Sequence, residues 1–223
     1  MTAKETLATL KKLGKPQTAA IYKRHGSGSN VFGTLTSEIA KLHKKIKTDH
    51  ALSIELWKSG NAEARILSLL AADPARLTRA DADRMLKDGP VRFLDTYFAA
   101  LLARSPVAER TMKDWMASAD ESTREMGYAL LAARLRDDPG AISDADAAKA
   151  LATIEKKIHG SPNWARRAMN SALIAIGIYK PALRKQAIEA ATRIGKVDVD
   201  HGETGCKTPD AVPYIEKASK RLR

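Results

Sequence analysis

The chain has 223 residues, with 38 Lys and Arg against 26 Asp and Glu, for a formal net charge of +12. Its 44% hydrophobic and 29% charged residues exclude wholesale disorder, and no run approaches the roughly 20 apolar residues of a membrane helix. Aromatic residues make up only 5%, and Ala and Leu dominate the apolar set, which favours close-packed helices over sheet.

The N-terminal MTAKETLATLKKLGK lacks an uninterrupted apolar segment, so no secretory signal is expected there and a cytoplasmic location is. RHGSGSN, residues 24–30, reads as a flexible connector; it lacks the Lys-Ser/Thr ending of a phosphate-binding loop. Leu35, Ile39, Leu42 and Ile46 then recur at helical spacing and predict one apolar stripe. Lys41, Lys44 and Lys45 fall on another face of that helix and, with Lys47, form the clearest basic cluster. Such a run serves either as a solvated face or as a set of phosphate contacts.

From His50 the stretch HALSIELWKSGNAEARILSLLAADP predicts a helix ending at Trp57, a Ser-Gly-Asn break, and a second helix with Glu63 and Arg65 near its start. This unit recurs. NAEARILSLLAADP, GPVRFLDTYFAALLARSP, ESTREMGYALLAARLRDDP and SPNWARRAMNSALIAIGIYKP each start at a polar or Gly/Pro break. Each meets an arginine early (Arg65, Arg92, Arg124, Arg166) and ends at a proline (Pro74, Pro106, Pro139, Pro181). The prolines are spaced 32, 33 and 42 residues apart, as in a helical-repeat array. Shorter amphipathic helices are expected between them, at about 78–87, 107–118, 143–158 and 182–194.

After residue 195 the Ala/Leu pattern gives way to a polar loop at 198–209 and a terminal helix at 210–222, with KVDVD the one alternating run. The expected fold is therefore all-α, a superhelical stack of antiparallel helix pairs forming one domain over 1–223. Charge is uneven along it: net +7 over 1–58, −2 over 59–144 and +7 over 145–223. Two basic ends suit a polyanion gripped at two places.

FGTLTSEIAKLHKKI, the following LW, the EAR helix start, SPNWARRAMNSALIAIG and GKVDVDHGETGCKTPDAVPYI together resemble the DNA alkylation repair family, over about residues 20–215. Those are AlkD-like glycosylases built from HEAT-like repeats, an α-solenoid. The resemblance implies a partner in double-stranded DNA, alkylated or not, and excision of cationic purines such as 3-methyladenine or 7-methylguanine. An alkylated purine already carries positive charge and leaves without a general acid, while the developing oxocarbenium sugar is stabilised by a nearby carboxylate.

The family motif runs Trp-Asp-x-x-Asp, and the matching segment here is VRFLD. Asp95 aligns with the catalytic carboxylate; Val91 and Arg92 stand at the positions of the Trp and the first Asp. A second family tryptophan falls at or near Ser171, and a family arginine near Arg124. The carboxylate is kept and the aromatic walls are not. From the residues alone, Asp95 reads first as a helix-start carboxylate facing the dipole, and the resemblance sets the catalytic role level with it; Phe93 and Tyr97 read as core or as a replacement wall.

Trp164 lies in a first helical turn beside Arg166 and Arg167, where it either packs between repeats or stacks on a base or sugar. No acid neighbours those two arginines in sequence, so both read as available to phosphate, whereas Arg124 lies between Glu121 and Glu125. The tail holds Asp198, Asp200, His201, Glu203 and Cys206 within nine residues. With no repeated Cys or His spacing and one soft ligand, Asp200 and His201 are expected to pin the loop by hydrogen bonds rather than bind metal. No metal or other cofactor is expected, and the protein reads as a monomer. The competing function is a non-catalytic repeat scaffold for unusual DNA structures or a protein partner.

Overall fold

The computed structural model describes residues 1–89 and 91–221, and of Val91 only the backbone. The chain divides into two compact units, Met1–Val107 and Ala108–Arg223. The first contains α1 (Ala3–Leu13), α2 (Pro16–Arg24), α3 (Thr36–Ile46), α4 (His50–Lys58), α5 (Ala62–Ala71), α6 (Arg79–Asp88) and α7 (Val91–Ala103). The second contains α8 (Ala108–Met116), α9 (Glu121–Asp137), α10 (Asp144–Lys157), α11 (Asn163–Tyr179), α12 (Arg184–Ile194) and α13 (Ala211–Ser219). The described residues form no strand, and KVDVD is extended loop.

Local chemistry sets most helix boundaries. The side chains of Asp49, Asn61, Thr78, Asp120, Ser143 and Asp210 each accept an amide from the first turn of the helix that follows. Pro74, Pro139 and Pro181 each open a short 3₁₀ turn. Asp73 and Asp138 cap the first two of these turns. The short helices expected between repeats are present as α6, α8, α10 and α12, within two residues of the expected bounds.

In the first unit α5 packs between α3 and α7, with α4 as its antiparallel neighbour. In the second, α11 packs between α9 and α13, and α8 lies on α9. Gly127 permits the close crossing of α8 and α9, because a Cβ there would run into the backbone of Met116. Trp57 and Trp115 are both buried between repeats.

Two expectations need correction. Leu35 does not join the apolar stripe of α3; it is an exposed, extended residue ahead of a helix that begins at Thr36. The cause is Glu63, whose buried carboxylate accepts the amides of Phe32 (3.1 Å), Gly33 and Thr34 (3.1 Å) and holds that segment out of the helix. The same bonds, with Asn61 Nδ2 donating to Asn30 O, fasten the end of the connector that reads as flexible in the sequence. The terminal helix runs over Ala211–Ser219, shorter than the expected 210–222, and Leu222 and Arg223 lie outside the described residues.

Candidate nucleic-acid interface

The recurring arginine first requires a structural account. Arg65, Arg124 and Arg166 are each the fourth residue of their helix, and each reaches back to a carbonyl of the segment before it, at the end of α4 for Arg65 and in the loops after α8 and α10 for Arg124 and Arg166. Arg65 Nε donates to Trp57 O (3.3 Å), Arg124 Nε to Ser118 O (2.7 Å) and Arg166 Nη2 to Ser161 O (3.0 Å). Carbonyls at and just past a helix end lack the amide four residues on that a helix interior provides, and the guanidinium supplies a donor. Arg65 also donates to Asp88 O (2.7 Å) and Arg166 to Asp198 O (2.8 Å), so Arg65 ties the ends of α4 and α6, and Arg166 ties the loop before α11 to the tail loop. The recurring arginine is thus a tie between neighbouring segments of the repeat.

Arg167 is also engaged. Its Nη2 lies 2.7 Å from Oε1 of Glu125, a buried residue of α9, and its guanidinium lies over the Trp164 ring at 5.5 Å. The availability read for Arg166 and Arg167 is thus overturned, because the fold supplies from distant segments the acid and the carbonyls that sequence neighbours lack. Trp164 is half-buried, with its amide donating to Glu121 Oε1 (2.7 Å) and the His201 ring edge-on at 6.1 Å. Glu121 and Glu125 are therefore bonded to α11.

The tail loop is fastened to the same helix. Asn163 exchanges two hydrogen bonds with the backbone of Asp200 (both 2.8 Å), and Asn170 Nδ2 donates to Pro209 O (3.0 Å). Asp200 Oδ1 accepts the Gly202 amide and His201 Nε2 bonds Thr208 Oγ1 (3.0 Å), the loop-pinning role expected for both residues. Among the described residues no group of three or more His, Cys, Asp and Glu is placed to hold a metal ion.

Asp95 sits in the second turn of α7, half-buried, with Oδ1 accepting from Thr96 Oγ1 (3.0 Å) and the Thr96 amide. Phe93 packs its ring against Tyr22 at 5.1 Å, and the Arg92 guanidinium lies directly against Gly26, whose φ of +84° admits no side chain without strain. The connector and α2 therefore occupy the space beside Phe93 where a lesion wall was read. Burial raises the phenols of Tyr22 and Tyr97 above their ordinary value, so both stay neutral hydroxyls. The side chain of Val91, at the position of the family's tryptophan, lies outside the described residues.

The lysines of α3 behave differently. Lys41 pairs with Glu38 at 2.7 Å, whereas Lys44, Lys45 and Lys47 are exposed and have no ion partner among the described residues. The same holds for Lys11, Lys12, Lys15, Lys23 and Arg24, around the ends of α1 and α2. Sequence reasoning passed over these five, although KKLGK and YKR carry the signal. Lys47 also has φ +59° and ψ −147°, the one positive φ at a non-glycine among the described residues. Exposed ammonium groups without carboxylate partners are the groups that can neutralise phosphates.

These features define a helical-repeat protein in which Arg65, Arg124, Arg166 and Arg167 bond neighbouring segments together while lysines of α1 to α3 stand exposed. A model of the family described as DNA alkylation repair enzyme matches residues 6–215, and the chain belongs to that family. Uncharacterized proteins of Listeria innocua and Listeria monocytogenes are 30% and 29% identical to it, each match spanning 96% of this chain and 95% and 96% of the relative. A solved structure at 29% identity superposes with a TM-score of 0.90, covering 100% of this chain and 96% of the other. It is described as a new family of proteins related to the HEAT-like repeat DNA glycosylases with affinity for branched DNA structures. The chain accordingly has the all-α, HEAT-like repeat fold. No described helix is long and apolar enough to cross a membrane.

Proposed function

We propose that the protein binds branched DNA through phosphate contacts made by its exposed lysines, without excising a base. One observation carries the reading: Lys44, Lys45 and Lys47 stand exposed and without ion partners on a chain that matches, end to end, a protein with affinity for branched DNA. Where duplex arms converge, phosphates from more than one strand lie close together. A cluster of mobile ammonium groups gains most there, through counterion release, and needs no base contacts.

Excision makes different demands. The carboxylate must face the deoxyribose, with aromatic walls to hold the lesion's nucleotide. Here Asp95 bonds its own neighbour Thr96, Phe93 is packed on Tyr22, and Val91 stands where the family has tryptophan. Retention of Asp95 in α7 favours a glycosylase, and the test includes it.

The protein is titrated onto a four-way junction and onto a linear duplex of equal length, over a range of salt. Tighter binding of the junction, with a steep salt dependence, is expected. Equal affinity for both removes the branched preference. In parallel, methylated duplex is incubated with the wild type and with Asp95→Asn. No release of methylpurine by either is expected; release by the wild type alone replaces this reading with the glycosylase.

A further inference from the structure

The C-terminal repeat carries a cleft that the lysine surface does not include. Ile178 and Tyr179 at the end of α11 face Tyr214, Lys217, Ala218 and Arg221 across a volume of about 430 Å³. The last four follow i, i+3, i+4, i+7 spacing and so share one face along α13 and the residues after it. Packing fixes that face. The buried Ile215 lies against Gly177, where a Cβ would collide with it, and this seats α13 on α11 with Tyr214 and Tyr179 on the same cleft.

The lining combines aromatic and cationic side chains. Tyr214 is 51% exposed and Tyr179 half-buried, and neither phenol oxygen has a hydrogen-bond partner among the described residues. Lys217 and Arg221 are exposed, with no ion partner among the described residues, and none of the described residues that line the cleft is an acid; Glu216, the one carboxylate of α13, is not part of it. The volume falls within the roughly 300–1,000 Å³ of small-ligand clefts. Flat aromatic faces flanked by cations suit a base bearing phosphates on either side. An acidic peptide would satisfy the cations and leave the ring faces without a planar partner.

We propose that this cleft takes an unpaired nucleotide of a branched DNA, its base against Tyr214 and Tyr179 and its flanking phosphates at Lys217 and Arg221. Stacking of this kind tolerates any base, so the cleft discriminates single-stranded from paired DNA rather than sequence. The site rests on the DNA-binding reading above, and it adds what lysines alone do not supply, a preference for disrupted pairing.

The test uses the full chain and a forked duplex with 2-aminopurine in the unpaired arm, beside a blunt duplex of equal length. Wild-type binding is expected to quench the 2-aminopurine. Tyr214→Ser is expected to abolish the quench and weaken fork binding about tenfold, with blunt-duplex affinity unchanged. Tyr214→Phe, which keeps the ring, is expected to restore both. Tyr179→Leu and the pair Lys217→Gln with Arg221→Gln provide independent arms, each checked for an unchanged unfolding transition. A fork bound by the wild type without quench, or bound equally by folded Tyr214→Ser and Tyr179→Leu, overturns the cleft and leaves the lysine surface standing. Failure of the wild type to bind either DNA overturns both.

Discussion

Arg167 places Nη2 2.7 Å from Oε1 of Glu125, and the Glu125 side chain is only 3% exposed. A carboxylate so buried is tolerated because a cation sits on it. Arg167→Ala is therefore expected to lower the unfolding free energy by about 3 kcal/mol, measured by denaturant titration. Replacing both partners, Arg167→Met with Glu125→Gln, is expected to recover more than half of that loss. The salt slope of DNA binding is expected to stay unchanged in folded Arg167→Ala, and a reduced slope would return Arg167 to the interface.

Arg166 holds Ser161 O and Asp198 O at once, as Arg65 holds Trp57 O and Asp88 O in the first unit. Arg166→Ala removes one tie between α11 and the tail loop while Asn163 and Asn170 keep theirs. A stability loss of about 1–2 kcal/mol is expected, with cleavage by a nonspecific protease rising within 196–208. Protection of that loop equal to the wild type's would show that the asparagines alone hold it.

Which parts of this molecule could be read from its sequence follows from the range of the interactions. Helix ends were legible because Asp, Ser, Thr, Asn and Pro act within three residues: Asp73-Pro74 and Asp138-Pro139 turn the chain where the pattern placed them. Trp57 and Trp115 come near helix ends, where burial between repeats is the default expectation for a tryptophan, and both are buried. The site was less legible because its electrostatics join distant segments. Arg167 finds its acid 42 residues away, and Glu63 finds its three amides 29 to 31 residues away. Sequence neighbours carry no trace of either. Asp95 was found by its alignment with a motif, but the bond to Thr96 was visible only in the fold.

Lys44 and Lys45 follow the buried Leu42 on α3 and stand clear of any carboxylate among the described residues, unlike Lys41, which is 2.7 Å from Glu38. Lys44→Ala with Lys45→Ala is expected to weaken junction binding more than duplex binding and to reduce the logarithmic salt slope by about 2, near 0.9 per phosphate released. Lys41→Ala is expected to reduce it by less, since Lys41 is already neutralised by Glu38. A double variant with the wild-type slope would assign the phosphate contacts to the lysines of α1 and α2 instead.

Lys47 and Gly195 end their helices in nearly the same backbone conformation, φ +59° and ψ −147° against φ +67° and ψ −146°. For glycine that region is free of side-chain conflict; for lysine it is strained by about 1–3 kcal/mol. Strain of this size persists where the side chain contributes something the backbone does not need, and here the contribution is a third exposed cation beside Lys44 and Lys45. Lys47→Gly is expected to raise the unfolding free energy by about 1 kcal/mol while weakening junction binding and lowering the salt slope by about 1. Lys47→Ala keeps the strain and loses the charge, so it is expected to weaken binding equally without the gain in stability. If Lys47→Gly gained stability and bound the junction as the wild type does, the strained lysine would have no part in holding DNA.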